Sequence, residues 1–179
     1  MDYKRDKREY ARVAAYLPLE IRLVPPEERD IHRPRISGVA VLDNFTKPPE
    51  LDDKPLAQWL NMLNAKLDSI ISSLAVEREG FGSLTFKALN ISAAGMGFKT
   101  KEKYDSGAFL EMKILLYMYP HVALYLYGDV VKSEREENDF STSVRFTEMS
   151  DDIRDEIIKF VFRRQREILS AKRDSIREI

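Results

Sequence analysis

The chain has 179 residues, the length of one domain or of one domain carrying an appendage. Hydrophobic residues at 44% and charged residues at 33% exclude a disordered chain, and 29 basic against 30 acidic residues, a net charge of −1, argue against a general nucleic-acid binder. Zero cysteines exclude a disulfide scaffold, a zinc finger, an iron–sulfur site and a thiol nucleophile; His32 and His121 are too few for a histidine-rich metal site, and a cytoplasmic setting fits best.

The first thirteen residues, MDYKRDKREYARV, are charged from the second position and carry no apolar run of the signal-peptide kind. Residues 1–12 are expected to form a mobile basic tail. In AAYLPLEIRLV, Leu17, Leu19, Ile21 and Leu23 alternate with other residues, and that period of two predicts a half-buried strand. A proline-rich charged loop (PPEERDIHRPR) leads to ISGVAVL, a candidate second strand, and then to the linker TKPPELDDKP.

Beyond the linker the period changes. Asp53 reads as an N-cap and Pro55 as a first-turn residue, where a missing amide donor costs nothing. Leu56, Leu60, Leu63, Leu67, Ile70 and Leu74 then follow at spacings of four and three, a heptad stripe that predicts a helix over 53–78. Trp59, Met62 and Ile71 widen the stripe, and Gly80 and Gly82 end the helix. A stripe so apolar needs a partner surface. The spacing alone leaves two open, the chain's own body or a second copy, and leucine at a with isoleucine at d leans toward trimers or tetramers.

The rest of the chain reads as short β-forming runs, GSLTFKALNIS, GMGFKT, AFLEMKILLYMY, HVALYLYGDVVKS and FSTSVRF, the last preceded by the charged loop EREEND. The apolar stretch from Ile114 to Tyr127 is too short for a membrane helix and turns at Tyr119-Pro120-His121, so no membrane insertion is expected. Ser150 precedes a C-terminal helix over 151–176. The whole predicts one domain over 1–179, mainly β with helices (α+β).

Enzymatic signatures are missing: there is no phosphate-binding glycine loop, nucleophile elbow or paired-histidine metal motif, so no catalysis and no cofactor are expected. Two patterns point to ligand binding instead. Arg8 and Arg12 form an RxxxR just before the first strand, and guanidiniums bond bidentately to phosphate oxygens or to guanine O6 and N7. RxxxR recurs at Arg29/Arg33 and Arg173/Arg177, so the bare pattern discriminates little. In Asn90-Ile91-Ser92-Ala93-Ala94-Gly95, Asn90 and Ser92 are two apart and expected on one strand face, while Gly95 permits a positive φ or a close backbone approach.

Together KREYARV, NISAAGMGF, GDVVKS and SVRFTEMSDDIRDEIIKFVFRRQREIL resemble the PilZ family of bacterial cyclic di-GMP receptors. The resemblance implies a six-stranded antiparallel β-barrel with a C-terminal helix, and cyclic di-GMP as ligand. It assigns phosphate and guanine contacts to Arg8 and Arg12, and guanine and phosphate recognition to Asn90, Ser92 and Gly95. Asn90 stands where many relatives have aspartate, which removes charge assistance from that contact. The long gap between Arg12 and Asn90, filled by the heptad helix, departs from a minimal PilZ domain. It resembles a tetrameric variety with inserted heptad helices, whose members can lack the ligand motifs. That second likeness implies homo-oligomerisation through 53–78 and leaves a rival expectation, an adaptor that docks a protein partner without needing the nucleotide.

Overall fold

A computed structural model describes residues 11–37, 52–117 and 121–177 of the chain. Seven strands and two long helices organise them: β1 (Val13–Leu23), β2 (Arg35–Ile36), α1 (Lys54–Arg78), β3 (Phe86–Ser92), β4 (Gly95–Thr100), β5 (Phe109–Leu116), β6 (Val122–Glu136), β7 (Asp139–Phe146) and α2 (Asp151–Arg177). The sheet order β2-β6-β5-β1-β3-β4-β7 closes on itself through β6–β7, giving a six-stranded antiparallel barrel with β2 as a two-residue addition to β6. The expected barrel and both helices are present. Of the candidate second strand ISGVAVL, the structure shows pairing at its first residue, Ile36, together with Arg35 just before it, and the part from residue 38 lies outside the described residues.

β1 is the stave that makes closure possible. Its first half pairs with β3 (Val13↔Ile91 to Pro18↔Phe86) and its second half with β5 (Leu19↔Ile114 to Leu23↔Leu110). The change of partner falls at Pro18-Leu19, where Leu19 N–H donates to Thr85 O at 2.9 Å and proline has no amide hydrogen to lose. The barrel interior is filled by alternate residues of every stave, among them Leu17, Leu19, Leu89, Ile91, Met112, Ile114, Leu124 and Leu126. α2 lies against β1 and β3 and adds Ile153, Ile157, Phe160 and Val161 to that core.

The charged run Glu134–Asp139, expected as a loop, is mostly strand. Glu134↔Ser141, Arg135↔Phe140 and Glu136↔Asp139 extend the β6–β7 ribbon to a tight turn at Glu137, whose φ is 55°, and Asn138. Its charges are exposed on both faces, and Lys99–Glu136 (3.2 Å) and Lys101–Asp139 (2.6 Å) pairs fasten the ribbon to the neighbouring strand and loop.

α1 forms as its sequence predicts. The Asp53 side chain accepts from Leu56 N–H at 3.1 Å, and Gly80, at φ 78°, takes the left-handed turn that ends the helix. Its packing is unusual, for no residue of α1 is buried. The helix meets the barrel at its C-terminal end, where Val76 packs with Phe81, Leu115 and Ala123. Arg35 bonds the Glu79 carboxylate at 3.1 Å and lies over the Tyr125 ring at 3.9 Å, while Lys113 donates to Glu79 O. Burial pushes the Glu79 carboxyl up, but the hydrogen bond from Arg35, with the polar hydroxyls of Ser37 and Tyr125 close by, outweighs it and holds the group below its ordinary value.

This joint carries a pH dependence. A carboxyl whose pKa is depressed by folding contributes stability that is complete above its unfolded value of about 4.5 and is lost as pH falls through the folded value. Melting temperatures from about pH 5 down to about pH 3 should therefore fall less steeply for Glu79→Gln than for wild type. Parallel curves would deny Glu79 this role.

Candidate functional site

The β1–β3 ladder decides what the N-terminal arginines can reach. Val13 faces Ile91 and Ala14 faces Asn90, so Arg12 enters the sheet beside Ser92 and the NISAAG turn. Arg12 is exposed and has no ion-pair partner among the described residues. Arg8 lies outside the described residues. Asn90 projects from the outer face of β3, exposed, its amide without a hydrogen-bond partner among the described residues, while Leu89 and Ile91 point into the core.

Ser92 and Gly95 differ from what the spacing suggests. Ser92 has the same strand parity as Asn90 but is 1% exposed. Its hydroxyl donates to Gly95 O at 3.3 Å and accepts from Ala94 N–H at 3.4 Å, closing the β3–β4 turn rather than standing open on the surface. Gly95 has no positive φ; it is needed for proximity, because a Cβ there would lie 2.3 Å from Val144 O on β7. On the other side of the same strand, a Cβ on Gly128 would meet Arg145 O at 2.4 Å. Two glycines thus let β4 and β6 close on β7, and Phe146 N–H donates to Ala94 O at 3.0 Å, tying the end of β7 to the turn.

The resulting surface has a smooth floor. Ala14, Asn90, Gly97 and Ser143 follow one another across four strands, and Ser92, Gly95 and Arg145 form the next row. An exposed amide and exposed guanidiniums surround a patch with little side chain on it. That is suited to a flat, anionic ligand that hydrogen-bonds along its edges. Arg145 was not singled out by motif, although its place between inward-facing Val144 and Phe146 marks it as outward-facing.

The second RxxxR behaves differently. Arg29 is engaged by Asp129 at 2.8 Å and lies over Phe109 at 4.6 Å, and Arg33 donates to His32 O at 2.8 Å. Beside it, Glu111 accepts from Tyr127 O–H at 2.6 Å and from Arg22 at 3.1 Å, and His32 stacks on Tyr127 with ring centres 5.2 Å apart. Burial and the Glu111 bond both raise the Tyr127 pKa, so the phenol stays protonated as a donor. These partners make Arg29 and Arg22 structural. Among the described residues there is no cluster of metal-ligating side chains, and no helix is long and apolar enough to cross a membrane.

Comparison with known proteins agrees with this geometry. A pathogenic protein from Xanthomonas campestris, described as a new tetrameric PilZ domain self-assembled via an unusual helical bundle, superposes with a TM-score of 0.58 at 16% identity, covering 91% of this chain and 89% of that one. No curated protein matches. The PilZ domain family model matches residues 71–163, from the last turns of α1 through strands β3–β7 to the core-packing half of α2. With the closed six-stranded barrel, the glycine-dependent turn and the helix packed across its staves, that match makes the chain a member of the PilZ domain family.

Proposed function

We propose that this protein is a bacterial, cytoplasmic receptor for cyclic di-GMP without catalytic activity, holding the dinucleotide between the Arg8/Arg12 tail and the outer face of Asn90-Ser92-Gly95. The observation that carries the reading is the β1–β3 register. It sets an exposed arginine without an ion-pair partner among the described residues beside an exposed asparagine and the turn that the family's ligand motif occupies. Membership of a family of cyclic di-GMP receptors supports the choice of ligand. Binding draws the arginine tail onto the barrel surface, and that docking is the signal.

Isothermal titration tests it. Cyclic di-GMP should bind in the micromolar range or better, about −8 kcal/mol, and GTP and cyclic AMP far more weakly. Arg12→Ala should weaken binding by about 1.5–3 kcal/mol, the scale of a charge-assisted hydrogen bond, and leave the melting temperature unchanged because Arg12 is exposed. No heat at a few hundred micromolar ligand ends the receptor reading.

A separate observation favours assembly as a second element of function. The stripe on α1 is uncovered, from 40% exposed at Leu60 to 63% at Trp59, with Leu56, Leu63, Leu67, Ile70 and Leu74 between. We propose that four copies bundle these helices into a homotetramer, in the manner described for the tetrameric Xanthomonas protein. An adaptor that docks a protein partner through the same helix, with the nucleotide site idle, predicts that Arg8 and Arg12 are dispensable.

A further inference from the structure

Arg145 is an arginine on the barrel wall whose neighbouring carboxylate is already taken. The register places it between Gly95 on β4 and Asp129 on β6. Asp129 would be its natural partner across the strands, but Arg29 nitrogens lie 2.8 Å from both of its carboxylate oxygens. Arg145 is therefore left exposed and, among the described residues, without an ion pair. Its backbone is fixed on both sides by the glycine contacts and by the Phe146–Ala94 bond.

It also faces the right place. Reading along one row from β1, the chain presents Arg12, Ser92, Gly95 and Arg145, with Asn90, Gly97 and Ser143 in the adjoining row. Nothing longer than serine stands between Asn90 and Arg145 in these rows. Three inter-strand steps of about 4.8 Å separate the two arginines by roughly 14 Å of backbone, a span that two long arginine side chains can bridge onto one ligand. A ligand held at one edge by Arg12 would lie across the glycine floor and bring its far edge to Arg145.

We propose that Arg145 is a further binding residue of the cyclic dinucleotide site, taking the phosphodiester on the side away from Arg12. The inference rests on the receptor reading above. It adds that the site spans β1 to β7, and that a ligand with two anionic groups at opposite edges is preferred to one with a single phosphate. The Arg29–Asp129 pair acts as a positioning element, because it keeps Asp129 from capturing Arg145.

Titration of the full-length protein with cyclic di-GMP provides the test, using wild type, Arg145→Ala, Arg145→Lys and Arg135→Ala. Arg135 is exposed on the far ribbon, and its loss changes net charge by the same amount. Arg145→Ala should weaken binding about tenfold, with a shallower dependence on salt and an unchanged melting temperature. Arg145→Lys should recover most of the affinity, since a phosphate accepts a point charge, and Arg135→Ala should bind as wild type. Wild-type affinity in Arg145→Ala, or an equal loss in Arg135→Ala, overturns this inference alone. A wild type that binds nothing overturns it together with the receptor reading.

Discussion

Replacing Leu63 and Leu67 with aspartate should turn an assembled protein into a folded monomer that still binds its ligand. The substitution falls in the middle of α1, where Leu63 is 47% and Leu67 55% exposed within a single copy. No residue of the helix belongs to the barrel core, so the change cannot open a cavity there. In a bundle both positions are interior, and each copy would place two unpaired carboxylates among leucines, at a cost of several kcal/mol. Light scattering gives the mass and a thermal melt reports the barrel. A wild type that is already monomeric, with a double mutant that melts normally, would end the bundle proposal. A double mutant that unfolds would show that the stripe supports its own barrel.

Gly95→Val should cost about 3 kcal/mol of stability in the absence of any ligand, at the upper end of what overpacking a well-packed site produces. The Cβ would lie 2.3 Å from Val144 O, a backbone atom that cannot swing aside as a side-chain tip would, so β4 and β7 must part. The Gly95↔Arg145 and Met96↔Val144 pairs would go first. Gly97→Ala is the matched control, since a Cβ there comes no closer than 3.8 Å to Thr142 O. Chemical denaturation of both variants separates the roles of the motif: a normal melt with lost ligand binding would make Gly95 a ligand residue and not a structural one.

Sequence revealed the elements that obey local rules. Asp53, Pro55 and Gly80 bracket α1 because caps and breakers act within one turn, and the leucine stripe declared its period whatever lay opposite. Strand β1 was legible from Leu17 and Leu19, but Leu23 at its end is 56% exposed, since alternation says which face is shared and not where the core stops. Glu134 to Glu136 read as loop because charge usually marks one; cross-strand pairing on a two-sided exposed ribbon overrode that composition. The candidate site was marked by motif, and its geometry was only half legible. Strand parity put Asn90 outward correctly, yet could not show that the Ser92 hydroxyl is consumed by its own turn. Nor could any local pattern find Arg145, whose place beside Gly95 depends on the β4–β7 register and whose lack of an ion pair among the described residues depends on a third strand carrying Asp129.

The double pairing of β1 has a consequence for how the chain reaches this structure. Its partners, Ile91 on β3 and Ile114 on β5, lie far along the sequence, whereas β3–β4, β5–β6 and β6–β7 are neighbours in order. The later staves can form two local units, the β3–β4 hairpin and the β5–β6–β7 meander, which join through the longer-range β4–β7 pairing, and β1 must then find its slot between β3 and β5 across the whole inserted segment. Such non-local closure places the chain among slow folders, with times of roughly milliseconds to seconds. The equilibrium penalty is small by comparison, because doubling a loop costs only about 0.6 kcal/mol. An entire helix can therefore be accommodated between the first and second staves of the barrel with little loss of stability, its main expense being time spent with one stave missing and two strand edges open.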